Sequence, residues 1–542
     1  MNPSLQPAGQ WAVPAEAAAA TRPPLTATQK LLLPLGVFLF DWLFWRERAG
    51  VNMLVFDVFI VVAQLVQLPR HAAARRSGYF WLMAFGSLLS GVFMAIYGSG
   101  VAALASAVSV LLLLGYVNQP SLKLLLFAGI TGLGSAAEAW LRVLRGVRPP
   151  SHAGAGVRRG WFYGRLLLVP LGILGAFHLL FAVANPEYAR LSSRLLNVLG
   201  EWLLRLLPDI SLAHLLFLGL GFGVAAAVVV AVPVYFFADQ ESRFGEFVRR
   251  QRDRVASFAV RRPDFRLKTT KALDLRKEYL VAVAVFGLVN ALLLVVNAID
   301  VRWLWFGFEP APGFDLAQFV HEGTYVLIFS ILLAMGIVLW FFRRNLNFYA
   351  PGLRALRWGA TVWVLQNAVL AVSVGLRNYY YILHSGVAYK RIGVCFFLLL
   401  VFFGLGTVLG KIWQQRSAYS LVRLNSLAVY AVLLLLAAGN WEVWMTEYNL
   451  QPRFRSVDIG FLLDMPDRAL PTLLARRTVL NRATQLTVNA EYGNPAVIDA
   501  TEAQRRLDLA AAAARANYAD YHDWQGFNWA DYEAAQQLGV HE

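Results

Sequence analysis

Ionisable side chains inside long apolar runs are the residues of this chain best placed to do chemistry. A charge at the centre of a bilayer costs roughly 2.5–3.5 kcal/mol on insertion scales, so one that sits there invites a functional reading. Asp57 lies in Val-Phe-Asp-Val-Phe, Asp41 interrupts the first apolar run, and Asp300 closes a later one. Phe319-Val-His321-Glu322-Gly-Thr-Tyr325 opens another. A His beside a Glu suits a proton- or cation-responsive pair, because imidazole titrates near neutral pH. Arg377 stands in Gly375-Leu-Arg-Asn-Tyr-Tyr-Tyr381, and Tyr389-Lys390-Arg391 starts the following run. We expect Glu322 or Asp300 to pair with Arg377 across an external vestibule, with Asn297 and Asn367 as further polar lining.

Each of these residues has a plainer reading. Asp41 and Asp57 would pair with an Arg or cap a neighbouring helix. Glu322 in a first turn would answer the helix dipole. Arg377 would snorkel among interfacial tyrosines, as would Lys390 and Arg391 beside Tyr389. His178 would be a packing histidine.

Signatures of catalysis are missing. There is no HExxH, GxSxG or CxxC, and Gly404–Lys411 has the wrong spacing for a phosphate loop. One His and one Glu are too few for a metal site. Cys395 is the single cysteine, which excludes an intrachain disulfide and a cysteine cluster. No catalytic residue, metal or cofactor is assigned. Gly406 with Gly410, and Gly219 with Gly223, are spaced for close helix packing.

The elements that must hold these residues are long apolar helices. A helix rises about 1.5 Å per residue, so roughly twenty apolar residues cross a hydrocarbon core of about 30 Å. Candidate spans are 31–45, 51–69, 79–98, 100–117, 166–184, 212–238, 279–300, 319–342, 360–381, 392–412 and 419–440. The stretch 122–141 is ambiguous, weakened by Glu138 and by Gly132 with Gly134. The expected fold class is all-α: a polytopic transmembrane helix bundle of eleven spans, twelve if 122–141 crosses.

Composition agrees. Of 542 residues, 58% are hydrophobic and only 15% charged, against about 25% charged in soluble chains. The net charge of +16 divides unevenly, because 9 Arg face 14 acids from Glu442 onward. The excess positive charge sits in short loops between spans, where it sets topology, so nucleic-acid binding is excluded as its explanation.

Loop charge also orients the chain. The stretch 239–278 holds 12 Lys or Arg against 7 acids, and 343–359 holds four Arg and no acid. Both read as cytoplasmic. The N-terminus is then cytoplasmic and the tail 441–542 extracytoplasmic, with 122–141 lying as an interfacial or re-entrant helix. Lys390 and Arg391 fall on the external side, against the rule. Residues 1–30 read as a disordered cytoplasmic segment without the layout of a signal peptide. Segment 187–207 reads as an amphipathic helix at the outer surface. The tail reads as helical, with Asp499 and Glu502, or Thr501 and Gln504, capping an Ala-rich helix.

These motifs carry a resemblance. Asp41-Trp-Leu-Phe-Trp45 followed by Gly50-Val-Asn52 resembles the opening of a bacterial membrane family known only as a domain of unknown function, number forty-one seventy-three in its series and related to forty-one fifty-three. Phe319–Tyr325 and Ala388-Tyr-Lys-Arg391 are similar to its central motifs. Asn440-Trp441 through Tyr448-Asn449, Asp458, Leu462-Leu463 and Ala469-Leu-Pro471 resemble its segment after the last span, and Asp523-Trp524 with Phe527-Asn-Trp529 its close. The resemblance implies a multi-span protein of the bacterial inner membrane and no particular activity.

Three function classes remain. A non-enzymatic membrane protein would move a small solute or lipid, or sense the envelope, through Asp41, Asp57, Asn297, Asp300, His321, Glu322, Asn367, Arg377, Tyr389, Lys390 and Arg391. An intramembrane enzyme would use Asp57, His321 and Glu322 as acid–base groups. A scaffold would recruit an envelope partner through the aromatic, acidic tail. The lipid bilayer is a partner in all three.

Overall fold

The computed structural model describes residues 25–146, 211–249, 275–306, 316–343, 345–488, 496–519 and 523–540, with scattered residues from 170 to 194. The expected span 166–184, most of the amphipathic segment 187–207, the first 24 residues and the basic stretch 250–274 lie wholly or largely outside them. Residues 187–194 are helical.

The described chain is dominated by helices: α1 (Ala27–Phe44), α2 (Val51–Gln67), α3 (Gly78–Tyr97), α4 (Gly100–Asn118), α5 (Leu125–Gly146), α6 (Leu212–Val229), α7 (Phe236–Ser242), α8 (Leu275–Asp300), α9 (Leu316–Phe341), α10 (Leu353–Ser385), α11 (Tyr389–Gln414) and α12 (Ala418–Ala437). Eight stretches are long and apolar enough to cross a bilayer: α1, α3, α4, α6, α8 with its π-helical extension to Trp305, α10, α11 and α12. The helix α2 and the Tyr325–Phe341 part of α9 are apolar but shorter. The predicted span 212–238 stops early, at Val229, where the chain approaches Pro233.

The chain divides into two compact units. In the first, α1 packs on α6. Phe40 and Phe217 have ring centres 5.0 Å apart, and Phe40 presses on Gly221, where any Cβ would collide with the ring. Gln64 donates to the Val228 carbonyl at 2.6 Å and Gln29 to that of Val229 at 3.2 Å. Both tie down carbonyls in the last turn of α6, which have no acceptor role inside the helix.

The second unit holds α3, α4, α7 to α12 and the tail. Around Phe286 on α8, the rings of Phe341 (5.6 Å) and Trp363 (5.4 Å) pack edge-on and join α8, α9 and α10. Glycine lets helices approach closely at Gly86, which faces the Tyr430 hydroxyl, and at Gly115 and Gly132, which face the carbonyls of Ala128 and Leu111. The packing role expected for Gly219, Gly223, Gly406 and Gly410 is not realised: among the described residues nothing outside their own helices stands near them. The residues that do approach are set by shape across the contact, which spacing along one helix does not report. The contacts at Gly115 and Gly132 also stand the first half of α5 antiparallel along α4.

Loops of the second unit gather at two ends. At one, Val248 donates to the Gln415 carbonyl and Ser417 to that of Glu246, both at 2.9 Å, and Gln415 reaches the Asn347 carbonyl at 2.8 Å. The basic turn after α9 and the start of the 239–278 stretch therefore share an end. At the other, the tail docks on the starts and turns of the spans. Val51 donates to the Phe527 carbonyl, Arg468 donates to the carbonyls of Tyr97 and Gly98, and Asn449 exchanges hydrogen bonds with Val387 (2.6 and 2.8 Å).

The tail is not purely helical. Beside α13 (Trp441–Asn449), α14 (Ile459–Leu463), α15 (Leu470–Ala475), α16 (Thr478–Arg482), α17 (Ala500–Ala519) and α18 (Trp529–Gln537) it carries a three-stranded sheet in the order β1 (Ser456–Asp458), β2 (Gln485–Val488), β3 (Ala496–Ile498). The β1–β2 pair is parallel and β2–β3 antiparallel. Strands of three or four residues are too short to display a period of two in sequence. Asp499 caps α17 as expected, accepting from Glu502 N at 2.7 Å.

Candidate functional site

The helices α8 and α10 meet along a ladder of polar side chains. Gln366 donates to the Asn290 side-chain oxygen at 2.8 Å, Asn290 to the Gly359 carbonyl at 2.9 Å, and Asn297 to the Gln366 carbonyl at 3.0 Å. At the top, Arg377 Nη2 meets Asp300 Oδ1 at 2.9 Å, both side chains about nine-tenths buried. Trp305 then donates to Ser373 at 3.0 Å. Asn290 and Asn297 are seven apart on α8, as are Gly359, Gln366 and Ser373 on α10. Seven residues are nearly two turns, so each set keeps to one face.

The ladder is rich in acceptors. Asn297 Oδ1, Asp300 Oδ2, Gln366 Oε1 and Asn367 Oδ1 are buried with no hydrogen-bond partner among the described residues. Asn367 gives its amide to its own helix, at the Trp363 carbonyl. Unsatisfied buried oxygens are costly, and what relieves them is a hydrogen-bond donor. Of the two partners expected for Arg377, Asp300 is in contact with it, at 2.9 Å. Glu322 and His321 lie on α9, and their side chains fall outside what is described.

A second polar site surrounds Asp57 on α2. Ser106 Oγ on α4 donates to Asp57 Oδ2 at 2.7 Å, and Ser87 on α3 sits beside the same carboxyl. Gly91 lets α3 come close, since a Cβ there would lie 3.0 Å from Asp57 Oδ2. A layer away, Ser109 and Tyr430 share a 2.8 Å hydrogen bond. Asp57 is 3% exposed, and neither an Arg nor a helix N-terminus answers it among the described residues. Among the described residues the Ser106 hydroxyl stands where a cation was expected.

Asp41 does find a partner, His214 on α6, at 2.8 Å, and that imidazole stacks on Trp45 at 4.1 Å. His214 was missed as a candidate because nothing in sequence links it to a residue 173 positions away. Tyr389 donates to Glu442 at 3.3 Å. Arg391 donates to the Ser385 carbonyl at 2.7 Å and lies 3.9 Å from the Tyr381 ring centre. It caps the C-terminal carbonyls of α10. Lys390 joins it at the same turn and is exposed.

Where the tail docks, burial first and the carboxylate of Asp523 second push the Glu47 carboxyl above its ordinary value. No group of three or more His, Cys, Asp or Glu among the described residues could hold a metal ion.

A model of the family described as Domain of unknown function (DUF4153) matches residues 107–475. The chain belongs to that family. This is the second of the two families named from the motifs, and it covers most of the membrane region. The DUF4153 match takes in the whole α8–α10 ladder, Asp300, Arg377 and Tyr389–Arg391. It begins after Ser106 and so leaves out Asp41 and Asp57, and it ends before α16. No curated protein and no solved structure matches the chain.

Proposed function

We propose that this DUF4153 protein is a non-enzymatic protein of the cytoplasmic membrane that moves or senses a small polar solute along the ladder between α8 and α10. One observation carries the reading: a buried Asp300–Arg377 pair heads a row of side-chain amides in which Asn297 Oδ1, Gln366 Oε1 and Asn367 Oδ1 lack donors among the described residues. Such a row suits a solute that donates hydrogen bonds, such as water, a hydrated proton, an ammonium ion or a polyol. Its amide oxygens would replace part of the solute's hydration shell.

In this reading the end bearing the basic turns faces the cytoplasm and the tail caps the external end. The N-terminus is then cytoplasmic. Asp41, Asp57, Asn297, Asp300, His321, Glu322, Asn367, Arg377, Tyr389, Lys390 and Arg391 remain the candidate binding and gating residues. Eleven spans fit this orientation, provided α5 enters from the cytoplasmic end without emerging on the other side.

The enzyme reading is weaker. Asp57 packs with α3 and α4, whereas His321 and Glu322 ride on α9, which packs against α10 and α11. A scaffold role for the tail keeps support from its exposed Trp524 and Trp529.

The test is flux into proteoliposomes carrying the full chain. Protons, ammonium and small polyols would be compared between the wild type, Asp300→Asn and Arg377→Gln. Wild-type flux above empty vesicles for one of these, reduced at least tenfold in both variants, supports the proposal. Wild-type rates equal to empty vesicles for all of them, together with no solute-induced change in melting temperature, sink it.

A further inference from the structure

At the basic end of the second unit a cavity of about 350 Å³ opens between the segment after α7, the end of α9, the end of α11 and the start of α12. Among the described residues its walls carry four cations, Arg243, Arg249, Arg343 and Lys411, and no acid. Four like charges facing one space repel each other, and an anion held among them relieves that repulsion.

The two nearby acids each engage other groups through one oxygen, while Glu241 Oε2 and Glu246 Oε1 are buried without a partner among the described residues. Glu241 accepts from Lys123 N and Leu124 N, both at 3.0 Å, and from the Tyr419 hydroxyl at 2.6 Å. Glu246 pairs with Arg423 at 3.2 Å. The cations are differently held. Lys411 is 1% exposed and gives one hydrogen bond, to the Arg416 carbonyl at 2.9 Å. Arg343 lies 3.3 Å over the Trp340 ring, and its Nη1 is buried with no acceptor among the described residues. A buried guanidinium donor without an acceptor is a costly arrangement that an anion relieves. Ser417 and Tyr419 on the cavity wall belong to the first turn of α12, a 20-residue helix whose N-terminal dipole adds to the positive potential.

The surroundings fix the depth. Trp340, near the end of α9, Trp358, near the start of α10, and Trp413, near the end of α11, are exposed, and Trp358 meets Trp413 edge-on at 5.5 Å. Exposed tryptophans at span ends mark the level of lipid headgroups. A basic pocket between spans at that level is built to take a phosphate.

We infer that this cavity is a binding site for a phosphate group, held by Arg243, Arg249, Arg343 and Lys411 against the first turn of α12. The headgroup of an anionic phospholipid and a soluble phosphate share that chemistry, and experiment separates them. The full-length protein in neutral detergent would be titrated with phosphatidylglycerol, phosphatidylcholine and inorganic phosphate while its melting temperature is followed. Phosphatidylglycerol should raise it and phosphatidylcholine should not. The triple variant R243Q/R249Q/R343Q should bind at least about tenfold more weakly, because charge-assisted hydrogen bonds to phosphate are lost. If the triple variant does not fold, R243Q/R249Q, at two exposed positions, reads the same affinity. A rise with inorganic phosphate equal to that with the lipid, lost in the variant, assigns the site to soluble phosphates. No rise with any anion, or an equal rise in wild type and variant, overturns the site.

Discussion

Arg468, in the tail, donates hydrogen bonds to the carbonyl of Tyr97, the last residue of α3, and at 3.2 Å to that of Gly98. Those carbonyls end a helix and have no partner within it. Arg468 is itself 7% exposed, so the contact is shielded from water. Gly98 holds φ +58°, and the Asn528 side chain lies where a Cβ would stand. The tail is thus clamped to the α3–α4 turn from two sides. Arg468→Ala should cost about 1.5–3 kcal/mol, the value of a hydrogen bond to a charged group. It should also make the tail the first region cut by protease in proteoliposomes with the tail face outward. Unchanged cleavage order and melting temperature would show that the clamp does not hold the tail.

The Asp300–Arg377 pair gives a sharper test. Removing one partner of a buried pair leaves a charge without its mate and typically costs about 3–5 kcal/mol, whereas neutralising both costs less. Asp300→Asn/Arg377→Gln should therefore melt closer to the wild type than Asp300→Ala or Arg377→Ala does. A double variant that loses as much as the two singles added together would mean the residues do not act on one another.

How far the sequence reached can be read from these same residues. Eight long apolar helices were legible among the described residues because a run of about eighteen or more apolar residues has few alternatives to a membrane helix. The pairing of Asp300 with Arg377 was legible because both sit near the same end of neighbouring spans. The partners of Asp41 and Asp57 were not. His214 and Ser106 reach them across helix contacts, and no periodicity records which faces meet. The amides Asn290 and Gln366 did leave a signal, the seven-residue spacing on each helix, which a search centred on charges passes over. Two features at the basic end were hidden for another reason: Lys411 reads as the end of a span, and Arg243 as one of many loop cations. Only folding gathers them around one cavity.

Asp57 is held by the Ser106 hydroxyl with no cation beside it among the described residues, and that predicts an asymmetry. Asp57→Asn keeps an acceptor for Ser106 Oγ and removes a buried acid, so its stability should lie within about 1 kcal/mol of wild type. Ser106→Ala strips the carboxyl of its donor and should cost about 1–3 kcal/mol. In an Asp57→Leu background the same Ser106→Ala change should cost almost nothing, since no acceptor is left to strand. Chemical denaturation in detergent measures all of these. Equal costs of Ser106→Ala in both backgrounds would mean the 2.7 Å contact contributes nothing.

The dock between Glu47 and Asp523 should respond to pH. Burial and the neighbouring carboxylate hold the Glu47 carboxyl above its ordinary value of 4.5. The folded protein therefore takes up this proton more readily than the unfolded chain. Its stabilising effect is complete below 4.5 and is lost as pH rises through the raised folded value. Once pH has risen past that value, the ionised Glu47 carboxylate faces Asp523 and weakens the seat of the tail. Glu47→Gln removes that repulsion while keeping the size of the side chain. It should raise the melting temperature at neutral pH by about one or two degrees. Below 4.5, where wild-type Glu47 already carries its proton, it should leave the melting temperature unchanged. Melting curves of the two proteins across that range measure the difference. A gain that stays constant with pH would trace the effect to packing, and a loss at neutral pH would show Glu47 pairing with a cation instead.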